Sequence, residues 1–178
     1  TGFESGSLDA NWFTTSTGAG GRIQVHATGV LNYLGDTAVS HTGNFFLGLD
    51  DTGSGPILNT QEAWMGLDLL GRTGVELEFW WAEWNDETHI EDGIFFSDDG
   101  GLSFIKVLNL DGDNQTDLSW RFFSLNVDSI CMMNNLSLSS TFVVKFQQHD
   151  NYFLAGGNDG FLFDDISVTW FNPACQND

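Results

Sequence analysis

Positive charge is scarce in this chain. Five Lys and Arg stand against 25 Asp and Glu, a formal net charge of -20 at pH 7. Binding to phosphate backbones depends on cationic neutralisation, so this balance excludes nucleic acid as a partner. No apolar run reaches the roughly 18 residues that a membrane-spanning helix needs, so no membrane insertion is expected. A positively charged start followed by an apolar stretch is also lacking, and the opening at Thr1-Gly2-Phe3 reads as a mature chain or an excised module. Cysteine is limited to Cys131 and Cys175, with no Cys/His cluster around either, so there is no zinc signature. The pair is expected to form a disulfide holding the C-terminal tail or to stay as two buried thiols; an extracellular setting favours the first. Proline occurs only twice, and helical periodicity is almost absent.

What is present is apolar and aromatic, with 41% hydrophobic and 14% aromatic residues, enough for a folded core despite the charge. Short alternating apolar runs, punctuated by 21 glycines, predict strands at Ile23–His26, Asn44–Leu49, Ala63–Asp68, Val75–Glu83, Asp92–Ser97, Phe104–Leu108, Arg121–Asn126, Thr141–Gln148 and Gly160–Thr169. A short helical turn is expected within Ser129–Leu138. The pattern reads as one all-β domain over 1–178, an antiparallel β-sandwich of jelly-roll type with a tail at 171–178. Acidity of this degree fits calcium ligation or a salty environment.

The densest aromatic stretch is Val75 to Trp84, which holds three of seven tryptophans. Alternation sends Val75, Leu77, Phe79 and Trp81 to one face, and Glu76, Glu78, Trp80, Ala82 and Trp84 to the other. Trp80 and Trp84 would stand roughly 13 Å apart, at about 3.3 Å per residue. Two accounts compete: stacking platforms for a sugar chain, or indoles covered by a loop or second layer. Thr141–His149 splits similarly, with Lys145, Gln147 and His149 facing outward. On the same sheet face as Trp80 and Trp84 these would add the polar partners that sugar hydroxyls require; otherwise they are surface polarity. Asn85, Asp86, His89 and Tyr152 are candidates for the rim.

Adjacent Asp164 and Asp165 interrupt the apolar run Phe161–Val168, and a buried carboxylate needs a partner or a metal. Together with Phe3-Glu4-Ser5-Gly6, Trp12 and Thr42-Gly43-Asn44-Phe45-Phe46-Leu47-Gly48-Leu49-Asp50, this closing element resembles the jelly-roll superfamily of MAM domains, reelin repeats and many carbohydrate-binding modules. The resemblance implies a structural calcium (Ca2+) held by Glu4, by Asp164 or Asp165, and by oxygens around Thr42 to Asn44. The rival account is a hydrogen-bonded carboxylate cluster served by backbone N–H groups and Arg22 or Arg72. Ser97-Asp98-Asp99-Gly100-Gly101-Leu102-Ser103-Phe104 is similar to the Asp-box hairpin, a structural turn in which Asp99 bonds backbone N–H groups and Phe104 anchors to the core. Two cysteines instead of four set the chain apart from strict MAM domains.

Glu76 and Glu78 share a face at roughly 7 Å, a spacing open to glycosidase chemistry. No jelly-roll glucanase carboxylate run, Gly-x-Ser-x-Gly turn, His-Glu-x-x-His helix or phosphate loop accompanies them, so no catalytic residues are assigned. Asp111–Asp117 resembles a calcium loop but has Arg121 and Phe122 where the closing Glu belongs, and reads as a solvated turn. Asn114-Gln115-Thr116 and Asn135-Leu136-Ser137 match the glycosylation sequon. The expected role is a secreted, non-catalytic, calcium-stabilised module that binds a polysaccharide and belongs to a larger secreted or surface protein. A MAM- or reelin-like adhesion module is the alternative, and a polysaccharide-degrading enzyme a third.

Overall fold

A computed structural model of the chain describes residues 3–18, 20–29, 32–33, 36–51, 58–151 and 159–171. Two five-stranded antiparallel sheets form the sandwich. Sheet A takes β1 (Trp12–Ser16), β6 (Asn59–Leu67), β11 (Phe142–Asp150), β8 (Gly93–Ser97) and β9 (Ile105–Asn109), in that spatial order. Sheet B runs β10 (Arg121–Asn126), β7 (Thr73–Trp84), β12 (Asp159–Phe171), β5 (Phe45–Asp51) and β2 (Gly21–Ala27). A minor ribbon pairs β3 (Asn32–Tyr33) with β4 (Asp36–Thr37), and one helix, α1, covers Val127–Asn134. All nine expected strands form, so the all-β jelly-roll sandwich is the observed architecture. The helix starts two residues before the expected turn because the Asn126 side chain accepts from Ser129 N–H and caps it.

Alternation accounts for the core. Val75, Leu77, Phe79 and Trp81 of β7 point inward, as do Phe142, Val144 and Phe146 of β11, and all seven are buried. Rings meet across the gap between sheets: Phe146 lies 5.0 Å from Phe163 and 5.7 Å from Phe79, both edge-on. Edge-to-face contacts place the positive ring edge on the negative face and add to the burial itself. Cys131 packs into this core from α1 as a free thiol, and burial pushes its pKa up to about 11. Cys175 and Tyr152 lie outside the described residues.

Candidate functional site

The outer face of sheet B carries Trp80 and Trp84, and it is closed at Trp84, while Phe122 beside Trp80 stays 47% exposed. Trp84 is 3% exposed and packs with Ala38, Phe46, Ala82 and Leu162 in a second hydrophobic cluster, against which Leu118 and Trp120 also lie. The two covering segments are tied together where Trp120 Nε1–H donates to the Val39 carbonyl at 2.9 Å. Trp80 is partly buried and stacks flat on His41, 3.7 Å between ring centres and 16° between planes. The expectation of two open platforms is therefore corrected at Trp84, which loops cover, while Trp80 is covered in part by His41. Glu76 and Glu78 sit farther along the same strand, opposite Asn126 and Ser124 of β10, and Glu76 accepts from Asn126 Nδ2 at 2.6 Å. Of the candidate rim, Asn85 is exposed while Asp86 is buried beneath the sandwich end.

Lys145, Gln147 and His149 project from the outer face of the other sheet, so the expected union with Trp80 and Trp84 does not occur. Lys145 binds Glu62 at 2.6 Å, and its ammonium lies 4.4 Å from the Phe95 ring centre and 4.3 Å from that of Phe104. Gln147 donates to the Glu91 carbonyl at 2.7 Å, and His149 Nδ1 meets Thr60 Oγ1 at 2.8 Å. Burial holds the His149 imidazole below its ordinary range. These three side chains thus brace sheet A, and Lys145 and Gln147 expose almost none of their surface.

Different aromatics open on that face. Strand register aligns Phe13, Trp64, Lys145 and Phe95 in one row across β1, β6, β11 and β8. Phe13 is 58% exposed, and its ring lies 5.3 Å from that of Trp64, tilted by 59°. Trp64 is fixed on its other side by Phe104 at 4.9 Å and by its Nε1–H donating to Glu62 at 3.0 Å. A groove of about 310 Å³ runs beside them, lined by Asn11, Phe13, Trp64, Gly66, Gly100 and Val143. Sequence reading passed over this pair because the tryptophan-rich β7 dominated. The alternation Ala63, Trp64, Met65, Gly66 carried the signal, with an indole pointing away from the core beside a glycine.

The Ser97–Phe104 turn supports the groove. Ser97 Oγ–H donates to Asp99 Oδ1 at 2.7 Å, while Gly101 N–H donates to Ser97 Oγ at 2.9 Å and Ser103 N–H to Asp99 at 3.0 Å. The Ser103 hydroxyl, which donates to Asp99 Oδ2 at 2.6 Å, together with the Ser97 hydroxyl and the Ser103 N–H, holds the Asp99 carboxyl well below the usual carboxylate range. Gly101 adopts φ +90°, and a Cβ there would meet the Trp64 ring at 2.7 Å, so only glycine fits. Phe104 packs on Trp64 and Lys145 on the outer face, not in the core as expected, because the turn folds back over sheet A.

The segment from His41 to Phe45 bonds to Glu4, Asp164 and Asp165, though among the described residues these three carboxylates do not form one group within ligating distance of each other. Glu4 accepts from Asn44 N–H at 3.0 Å and Phe45 N–H at 3.2 Å; Asp164 accepts from His41 N–H at 2.9 Å and Thr42 N–H at 3.2 Å. Asp165 accepts from Thr42 Oγ1–H at 2.7 Å and meets His41 Nδ1 at 2.7 Å. Gly43, at φ +62°, leaves the space that the Glu4 carboxylate fills. Burial raises Asp164 to about 6. The all-oxygen donor set suits a hard cation, yet N–H and O–H groups already compensate each carboxylate. Neither arginine takes part: Arg22 pairs with Asp50, and Arg72 lies over Trp170. The Asp111–Asp117 turn docks on Thr88, whose Oγ1–H donates to Asp111 at 2.7 Å, and it borders an acidic cleft at the sandwich end.

No protein-family profile and no curated protein sequence matches the chain. Solved structures do. A carbohydrate-binding module in complex with β-1,4-galactotriose superposes with a TM-score of 0.59 at 13% identity, covering 96% of this chain and 94% of that one. A cleaved adhesin domain of Lys-gingipain gives 0.60 at 18% identity, covering 95% and 97%. A structure of carbohydrate-binding modules from the β-sandwich superfamily gives 0.55 at 12% identity, covering 94% and 60%. At such identities the likeness defines the architecture, a β-sandwich of the kind these modules use.

Proposed function

We propose that this chain is a non-catalytic carbohydrate-binding module that holds a polysaccharide on the outer face of sheet A. The observation that carries the reading is the groove in which Phe13 and Trp64 present ring faces beside the Asn11 amide. Sugar C–H faces stack on such rings, and hydroxyls bond to polar groups at the rim. Glu62 is engaged by Lys145 and by the Trp64 indole, which makes it a brace for the platform instead of an acid or base. Neutral glycans suit the groove, since the net charge of -20 repels anionic ones. Secretion and attachment to a larger enzyme belong to this proposal, and tethering would raise the local concentration of such an enzyme on the polymer. A structural calcium on Glu4, Thr42, Asn44, Asp164 and Asp165 is likewise proposed; Glu4→Gln should abolish the part of a calcium-dependent melting shift that arises there.

Affinity electrophoresis in gels of neutral polysaccharides tests the binding. Wild type should be retarded by at least one polymer, and both Trp64→Ala and Phe13→Ala should lose that retardation while remaining folded. Unretarded wild type across the panel, or retention intact in both variants, would refute the site. The adhesion alternative gains from the covering of Trp84, which takes that indole out of any glycan contact on sheet B. It would be favoured by capture of a protein partner, through the same groove, in the absence of any glycan binding.

A further inference from the structure

We propose that Glu87, Asp150 and Asp159 bind a calcium ion at the end of the sandwich, a site separate from the Glu4–Asp165 cluster. Asp150 ends β11 in sheet A, Asp159 opens β12 in sheet B, and Glu87 lies in the loop after β7. One carboxylate oxygen from each residue lies within 4.8 Å of the other two. Oxygens sharing a calcium at 2.3–2.6 Å stand no more than about 5 Å apart, so one ion reaches all three. The ion would join the two sheets where their ends carry like charge.

Neighbouring atoms point independently to a ligand. Asp86 is 5% exposed, and its Oδ2 has no hydrogen-bond partner although Asp92, Asp150 and Asp159 act on it electrostatically. Gln148 is fully buried; its Nε2–H donates to Asp86 Oδ1 at 3.0 Å while its Oε1 has no partner. Glu87 Oε2 is also buried without one. A buried oxygen left without a donor is disfavoured, and several anionic ones together more so. A hard divalent cation held by the three grouped carboxylates satisfies the Glu87 oxygen and offsets the buried charge around Asp86. The ion pairs Arg22–Asp50, His41–Asp165 and Lys145–Glu62 do not involve Glu87 or Asp86. A cleft of about 350 Å³, lined in part by Glu83, Asp86, Glu87, Asp113 and Asp117, leads to the site from solvent and attracts cations.

The test uses the full chain stripped with chelator and titrated with calcium chloride alone. Melting temperature should rise by about 5 to 10 °C at a hundredfold excess over Kd. Glu87→Gln, which changes a half-buried side chain and relieves repulsion, should stay folded and weaken calcium binding at least tenfold by calorimetry. Asp159→Asn should do the same. Glu4→Gln should leave this site's binding intact, which separates it from the other cluster. Trp84 lines the same small cavity as Asp159, so terbium bound here should show tryptophan-sensitised emission that Trp84→Phe removes. A wild type that binds no calcium, or full binding retained in both Glu87→Gln and Asp159→Asn, overturns the proposal. Glycan retardation is scored separately, so its failure leaves this result independent.

Discussion

Replacing Trp84 by Ala separates a structural indole from a recognition indole. Trp84 sits at 3% exposure against Phe46, Ala82, Leu162 and Ala38, with Leu118 and Trp120 packed on the cluster. Emptying a site of that kind removes transfer free energy and leaves a cavity, about 3–5 kcal/mol for a buried tryptophan. In a domain of this size each kcal/mol shifts Tm by about 2–4 °C, so the variant should melt roughly 6–20 °C lower. Trp64 is only partly buried, and Trp64→Ala should lower stability by about 1–2 kcal/mol. Urea denaturation followed by tryptophan fluorescence at fixed calcium measures both. Below its transition the Trp84→Ala protein should still be retarded by the glycan, whereas Trp64→Ala should not. A Trp84→Ala protein within about 1 kcal/mol of wild type, or one that is stable but has lost binding, would refute the assignment of the two faces.

Protonation of His26 offers a second check. It is buried against Phe46, and burial, aided by Arg22, lowers its pKa from 6.5 to about 4. The unfolded chain binds the proton first, so this stability is present above pH 6.5 and drains away as pH falls to about 4, up to about 3 kcal/mol. Denaturation of wild type and His26→Gln at several pH values should show a stability difference that shrinks with acidification; a constant difference would remove His26 as the cause. The Lys145–Glu62 pair gives a double-mutant cycle. Lys145→Met strands the Glu62 charge and should destabilise by about 2–3 kcal/mol, and adding Glu62→Gln should restore most of it. Strictly additive losses would mean the two side chains do not interact.

Local alternation made the strands readable: β10 has the bounds its residues suggest, and β7 divides into faces as its pattern requires. β1 escaped notice because Trp12-Phe13-Thr14-Thr15-Ser16 is short and mostly polar after its two rings. Which face lies open is not a local property. Trp84 is closed, and Trp80 covered in part, by segments around residues 38–41 and 118–120, far from β7 in sequence. Lys145 and Trp80 fell on different sheets because β11 and β7 take different partners, something their own residues do not encode. That Glu4 and Asp164 both bond to the segment around residues 41–45 was legible through the resemblance of the chain's two ends to a known pattern. The convergence of Glu87 with Asp150 and Asp159 was not, since strand order alone brings them together.

The row Phe13, Trp64, Lys145, Phe95 runs crosswise over four strands, and each member alternates with residues that fill the sandwich interior. Cohesion and selectivity therefore reside in different halves of the same strands. Rewriting every second residue of β1 and β6 would change what the groove accepts while Trp12, Ala63 and Met65 keep the sheets joined. The frame is thus suited to divergence and to retargeting: new preferences arise on its outside without renegotiating its inside.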